Sequence, residues 1–203
     1  MNRRSAWWLR WLRWLPCLGS FCAAWFLVSP LRALDPERAI TQYVQNVWRA
    51  PGALPHDNIT AILQTRDGYL WIATWDGVVK FDGVRFVLVE PPAGADRRAR
   101  RTVVLHEDPS GNVWAGTEGG GLIRWSRGEA TRFTTREGLP DDRVIGVATG
   151  AEGDLWVSTA SGLARLHDGT LRRVPLEGET PGSLGYLWLT RSARLFVAVG
   201  GVL

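Results

Sequence analysis

The stretch RDGYLWIATWDGVVKFDG, residues 66–83, places three Asp-Gly pairs around short segments rich in aromatic and β-branched residues. Asp-Gly favours tight turns, because glycine accepts a positive φ and the aspartate side chain can hydrogen-bond its own backbone. The segments between the pairs, YLWIAT and VVKF, are typical of strands. The stretch therefore predicts an antiparallel meander with corners at Asp67-Gly68, Asp76-Gly77 and Asp82-Gly83.

The meander belongs to an internal repeat. An apolar-aromatic step recurs at spacings of 43, 42 and 40 residues. Three residues after each of the first three aromatics comes a threonine, and a Gly-apolar step follows it. The structural positions of the repeat are thus the aromatics Trp71, Trp114, Trp156 and Phe196 and the glycines Gly77, Gly121 and Gly162. The fourth copy keeps its aromatic strand and has lost the turn glycine.

Each copy contains four candidate strands in about 42 residues, which is the size of a propeller blade. Both faces of YLWIAT are largely apolar, as a sheet packed between two neighbours requires. We therefore predict an all-β fold, a β-propeller of four-stranded antiparallel blades with about 3.5 blades present and an incomplete ring. The blades are predicted at 54–91, 92–137 and 138–178, with a partial blade at 179–203. A β-sandwich is the alternative, but it has no reason for a fixed period.

The first 33 residues have a positive start and an apolar run from Trp14 to Leu31, which predicts an export signal or, alternatively, a retained membrane anchor. Five arginines and no acidic residue lie in this leader, so the remaining chain has 19 basic and 20 acidic residues, a net charge of −1. The charge of the whole chain, +4, therefore gives no support to nucleic-acid binding. Residues 34–53 are predicted to form an N-terminal arm.

LPHDNITAILQTRDGYLWIATWDGVVKFDGVRF, residues 54–86, resembles the two-component regulator propeller repeat. EGLPDDRVIGVATGAEGDLWVSTASGLARL, residues 137–166, is a second good match, and ITQYVQNVWR, residues 40–49, resembles the segment before the first repeat in such proteins. The resemblance implies the periplasmic sensory part of a membrane-bound receptor of the two-component or cyclic-di-GMP type. In that family a transmembrane helix and a histidine kinase or diguanylate cyclase follow, and we expect those activities to lie outside this chain.

The function expected from the resemblance is ligand sensing on the periplasmic side of the bacterial inner membrane, with an unknown small ligand or glycan fragment as partner. The expected membrane link is a C-terminal helix that this chain does not contain, and a homodimer of the complete receptor is an open alternative. A scaffold that binds another protein is a second hypothesis. A propeller lyase or hydrolase is a third, and it requires polar residues converging on one face from several blades.

One strong charge cluster stands in the chain after the leader, in the run ADRRARR between the first two predicted blades. Its arginines could bind an anion such as a uronate through bidentate guanidinium contacts, or form a solvated loop. Trp75, in a predicted hairpin tip, could stack on a sugar or pack against the adjacent blade. The candidate ligand-binding residues are therefore Trp75, Arg97, Arg98, Arg100 and Arg101.

No catalytic residue, metal site or cofactor is predicted. His56, His106 and His167 fall at different points of their repeats and lack metal-ligand spacing. The Asp-Gly turns do not have the alternating oxygen ligands and closing glutamate of a calcium loop. The triplet of glycines at 119–121 is a turn between strands and not a phosphate-binding loop before a helix.

Overall fold

The computed structural model describes residues 46–50 and 52–175 and, for their backbone, the strands 184–189 and 195–199. The predicted signal or anchor at 1–33 lies outside the described residues, as does the arm up to residue 45. Within the part of the chain that the structure describes, no helix has the length and apolarity needed to cross a membrane.

Three four-stranded antiparallel sheets and one hairpin follow each other along the chain. Blade 1 contains β1 to β4, blade 2 contains β5 to β8, blade 3 contains β9 to β12, and the hairpin contains β13 and β14. The strand bounds are β1 Ile59–Gln64, β2 Leu70–Thr74, β3 Gly77–Phe81, β4 Phe86–Val89, β5 Thr102–Glu107, β6 Val113–Thr117, β7 Leu122–Ser126, β8 Glu129–Phe133, β9 Val144–Thr149, β10 Leu155–Thr159, β11 Gly162–His167, β12 Thr170–Val174, β13 Leu184–Leu189 and β14 Leu195–Val199.

The first strand of each blade lies innermost. β1 contacts β5, β5 contacts β9, and β9 contacts β13, whereas the fourth strands lie at the opposite edges of their sheets. The hydroxyl of Thr60 in β1 donates to the carbonyl of Thr102 at the start of β5, at 2.5 Å. This arrangement confirms the predicted propeller of four-stranded blades, and the described strands do not close a ring.

One apolar core lies between blades 1 and 2, and a second lies between blades 2 and 3. Alternate residues of β6 enter different cores: Val113 and Ala115 pack toward blade 1, while Trp114 packs toward blade 3. The same division holds in β7, where Ile123 faces blade 1 and Leu122 faces blade 3, both almost fully buried. A strand places successive side chains on opposite faces, so a sheet between two neighbours must be apolar on both.

The repeat threonines stabilise the turn between the second and third strand of each blade. The hydroxyls of Thr74, Thr117 and Thr159 are fully buried and donate to the carbonyls of the repeat glycines at 2.7–2.8 Å. Gly121 has φ +84°, and a Cβ there would lie 2.1 Å from the Phe133 carbonyl oxygen. In each blade the threonine hydroxyl thus closes the turn onto the glycine, although the turn of blade 2 is one residue longer than those of blades 1 and 3. All three glycines have a positive φ, which explains why glycine recurs there.

The repeat tryptophans Trp71, Trp114 and Trp156, which we call the aromatic column, are packing residues, and each is accompanied by a cation. Lys80, Arg124 and Arg165 lie 5.6–5.7 Å from the ring centroids of Trp71, Trp114 and Trp156 respectively. Cations at such distances over an aromatic face are attracted by the ring quadrupole. In the fourth copy, Phe196 lies opposite Trp188 in the backbone register of the β13–β14 hairpin.

The face of blade 1 that points away from blade 2 is apolar. Trp48 of the arm packs on Phe81 and Phe86, with ring centroids 5.4 and 5.5 Å away. Ile62 and Leu88, which lie in one cross-strand row on this face, remain more than half exposed. The described part of the chain thus presents one blade face that a further sheet does not cover.

Candidate functional site

The residues that form the candidate site come from four segments on one side of the propeller. His56 precedes β1, Trp75 and Asp76 form the β2–β3 turn, and Glu118 follows β6. The remaining members belong to the short helix α1, Arg97–Arg100, and the residue after it. Together they line an open cleft of about 580 Å³, which we call the arginine cleft: His56, Trp75, Asp76, Arg97, Arg98, Arg101 and Glu118.

Helix α1 is held in place by its N-cap and by the close packing of Ala99 against Gly120. The Asp96 carboxylate accepts a hydrogen bond from the Ala99 backbone N–H at 3.0 Å, which caps the helix. Ala99 is almost fully buried, and a Cβ on Gly120 would lie 2.2 Å from its Cα. Glycine at 120 therefore allows α1 to rest directly on the β6–β7 turn, and this contact directs Arg97 and Arg98 to the cleft.

Arg101 is fixed on two sides. Its guanidinium carbon lies 4.2 Å from the centroid of the Trp75 ring, and its Nε is 2.6 Å from Glu118 Oε2. The ring of His56 lies 5.5 Å from the same indole. Trp75 thus contacts both Arg101 and His56, and 43% of its surface remains exposed.

Arg97 and Arg98 have a different environment. Both side chains are exposed, and within the part of the chain that the structure describes neither takes part in an ion pair. The cleft as a whole has three guanidinium groups against the two carboxylates of Asp76 and Glu118, an excess of one positive charge. An anion entering the cleft would meet guanidinium donors that need not be released from a carboxylate first.

The structure brings together four of the five residues predicted from the sequence: Trp75, Arg97, Arg98 and Arg101. Arg100 lies elsewhere, on a cavity of about 70 Å³ between blades 1 and 2 that also contacts Gly77 and Trp125. The alternative interpretations of Trp75 are not exclusive, because its ring packs on Arg101 and still faces the cleft. Ligand binding by these residues stays a prediction.

Sequence reasoning missed three members of the cleft, His56, Asp76 and Glu118. A signal for Glu118 existed in the repeat: it follows Thr117 as Trp75 follows Thr74. Equivalent turn positions of successive blades lie on the same side of a propeller, so Glu118 could have been found from the alignment of the repeats. His56 had no such signal, because it lies in the entry to the first copy.

A second group of titratable side chains lies at the start of β10 and on β11 in blade 3, away from the cleft. The carboxylate of Asp154 accepts hydrogen bonds from Arg165 and from Nδ1 of His167. The hydrogen bond to Asp154 raises the pKa of His167 above its ordinary value, and the same bond lowers the pKa of Asp154. This cluster links β10 with β11 and is suited to stabilise the hairpin.

His106 connects two blades. Its Nε2 lies 2.6 Å from the Thr149 hydroxyl, so a side chain of β5 is joined to one at the end of β9. Burial lowers the pKa of His106, which keeps the imidazole neutral near pH 7. The residue therefore acts as an interblade hydrogen-bonding group.

Part of the chain matches a protein-family model. Residues 53–76 match the model described as "Two component regulator propeller". This match confirms the resemblance recognised in the sequence over the first part of the first repeat. A search of curated proteins gave no significant match.

Solved structures with the same fold include the extracellular domains of two hybrid two component systems from B. thetaiotaomicron. Their TM-scores are 0.61 and 0.60, each at 19% sequence identity, over 75% and 72% of this chain. The chain spans about a fifth of their length, 22% and 21%. Virginiamycin B lyase from Staphylococcus aureus is also similar, with a TM-score of 0.59 and 18% identity over 70% of this chain and 49% of the lyase. At these identities the likeness shows the propeller fold.

Proposed function

We propose that this chain is the ligand-sensing part of a membrane-bound signal-transduction receptor, and that the arginine cleft holds an anionic small ligand or glycan fragment. The observation that carries the proposal is the cleft itself, in which Arg97, Arg98 and Arg101 meet the exposed indole of Trp75. Guanidinium groups recognise carboxylates through paired hydrogen bonds, and an indole offers a flat apolar surface beside them. A ring that bears a carboxylate matches both features.

The family match supports the receptor part of the proposal, since the repeat belongs to two component regulators. The fold is that of extracellular domains of hybrid two component systems, which supports a periplasmic location. We propose that kinase or cyclase activity, and the helix that crosses the inner membrane, belong to parts of the receptor outside these 203 residues. This chain would then bind a ligand without catalysis.

Two sugars that differ at one group test the proposal. Galacturonate bears a carboxylate where galactose bears a hydroxymethyl group, so calorimetric titration of the full-length chain with each isolates the contribution of the charge. We expect galacturonate to bind at least about tenfold more tightly than galactose, because hydrogen bonds to charged groups contribute about 1.5–3 kcal/mol. Equal affinities for the two sugars, or no binding of either, would refute an anion-binding cleft.

Substitutions within one helix provide the matched control. Arg98→Ala removes a cation that lines the cleft, whereas Arg100→Ala removes one that lies outside it. We expect the first variant to lose about tenfold or more in galacturonate affinity and the second to bind as the unaltered chain does. If both variants bind equally well, the guanidinium groups of the cleft do not recognise the ligand. A protein-binding scaffold would show no response to either sugar.

A further inference from the structure

A second cavity adjoins the arginine cleft on the side of the inner strands. It has a volume of about 300 Å³ and is lined by Val103 of β5, by Val144 and Ile145 of β9, and by Arg143. Three further lining residues, Trp75, Arg101 and Glu118, also line the arginine cleft. We call this second cavity the inner subsite, and the three shared residues form the wall between it and the cleft.

Arg143 of the inner subsite stands at the position of blade 3 that Arg101 occupies in blade 2. Arg101 directly precedes β5, and Arg143 directly precedes β9. The backbone confirms that the positions are equivalent: the Arg101 carbonyl accepts from the Glu118 N–H at 3.0 Å, and the Arg143 carbonyl accepts from the Ala160 N–H at 2.9 Å. Blades 2 and 3 thus place an arginine at the same position of the repeat. Arg101 lies in the wall between the two cavities, and Arg143 lies in the inner subsite beyond that wall.

Arg143 resembles Arg97 and Arg98 in its environment. Its side chain is exposed, and within the described part of the chain it forms no ion pair, although its backbone N–H donates to Asp141 at 2.7 Å. The two cavities together contain four arginines against the carboxylates of Asp76 and Glu118. The excess is therefore two positive charges, and the cations not engaged by a carboxylate stand on both sides of the wall.

We infer that the two cavities form one extended site for a linear oligomer that carries an anionic group on each of at least two units. One unit lies in the arginine cleft beside Arg97 and Arg98, the chain of the ligand passes Trp75 and Arg101, and a second unit lies beside Arg143. A ligand with a single anion would occupy one cavity and leave the other excess charge unmatched. This inference rests on the proposed function, because it extends the same site.

The experiment compares galacturonate with its linear dimer and trimer, titrated calorimetrically into the full-length chain. We expect the trimer to bind at least about tenfold more tightly than the monomer, since the second contact is intramolecular once the first has formed. A gain of about threefold or less is what the number of equivalent units alone provides, and it would overturn the extended site. Failure of every member to bind would instead overturn the proposed function.

Two variants separate the subsites. Arg143→Ala should reduce the affinity for the trimer to about that for the monomer and leave the affinity for the monomer unchanged. Arg172→Ala, which removes an exposed cation from β12 of blade 3, should preserve the full gain with length. If Arg143→Ala weakens the monomer and the trimer by the same factor, or if both variants retain the gain, the inner subsite does not hold a second anionic unit.

Discussion

The substitution Thr117→Val tests directly whether the buried threonine hydroxyl stabilises the turn between the second and third strand of a blade. Valine keeps the shape of threonine and replaces the hydroxyl with a methyl group. In the folded chain that hydroxyl donates to the Gly121 carbonyl at 2.7 Å and accepts from the Gly120 N–H at 2.9 Å. Both glycines are buried, and the Gly121 carbonyl also accepts from the Thr117 N–H at 3.1 Å.

The magnitude follows from what each partner loses. The buried Gly120 N–H loses its acceptor, which costs about 1–3 kcal/mol, while the Gly121 carbonyl loses one of two donors, a net cost of about 1 kcal/mol. We therefore expect the free energy of unfolding to fall by about 2–4 kcal/mol. Thr74→Val should cost less, about 1 kcal/mol, because the N–H that loses its acceptor there belongs to the exposed Asp76 and can bind water.

Equilibrium denaturation with urea, followed by tryptophan fluorescence, measures these differences on the full-length chain. Thr117→Ser is the control: it keeps the hydroxyl and loses one buried methyl group, at a cost of about 1 kcal/mol. Equal losses for Thr117→Val and Thr74→Val, or a larger loss for Thr117→Ser than for Thr117→Val, would refute the assignment of the stabilisation to the buried hydrogen bonds.

Two further predictions concern the aromatic column and the charged cluster of blade 3. Trp114→Phe should lower the free energy of unfolding by about 1.5–3 kcal/mol more than Trp71→Phe. The reason is that Nε1 of Trp114 donates to the Asp108 carboxylate at 2.8 Å, whereas Nε1 of Trp71 has no partner in the described part of the chain. Equal losses on urea denaturation would contradict this prediction. Because the pKa of His167 is raised in the folded chain, the stabilisation from its protonated ring is complete below about pH 6.5 and is lost as the pH rises through the raised pKa. Because the pKa of Asp154 is lowered, the stabilisation from its carboxylate is lost as the pH falls through the lowered pKa. The difference in Tm between the unaltered chain and His167→Gln should therefore be largest near pH 5 and vanish near pH 9, and a difference independent of pH would count against it.

The fold could be predicted from the sequence because its determinants are local and repeated. Trp71, Thr74 and Gly77 lie within seven residues, and the same spacing returns at Trp156, Thr159 and Gly162. Each set specifies two strands and their turn, and apolar residues on both faces require that the sheets stack. Few tertiary arrangements other than a row of stacked blades are consistent with such a constant repeat length.

The candidate site was predictable in part. The arginines of α1 stood out as a charge cluster, and Trp75 as a tryptophan outside the repeat column. That Arg100 would leave the cleft while Arg97 and Arg98 lined it could not be read from the run ADRRARR. The difference depends on the burial of Ala99 against Gly120, a contact between residues 21 positions apart that fixes the rotation of a four-residue helix.

The sequence by itself determined the blades, their turns and the packing role of the tryptophans, since these follow from hydrogen bonds and side-chain alternation between neighbours in the chain. It also marked Trp75 and the arginines of the run ADRRARR as candidates for binding, but neither Glu118 nor Arg143. The tertiary structure decided which of them meet. Glu118 joins Arg101 and Trp75, and Arg143 lies beyond them, because stacking the blades brings the turn of one repeat beside the entry of the next. Electrostatic and stacking contacts act over a few ångströms in space, and the order of residues along the chain does not contain those distances.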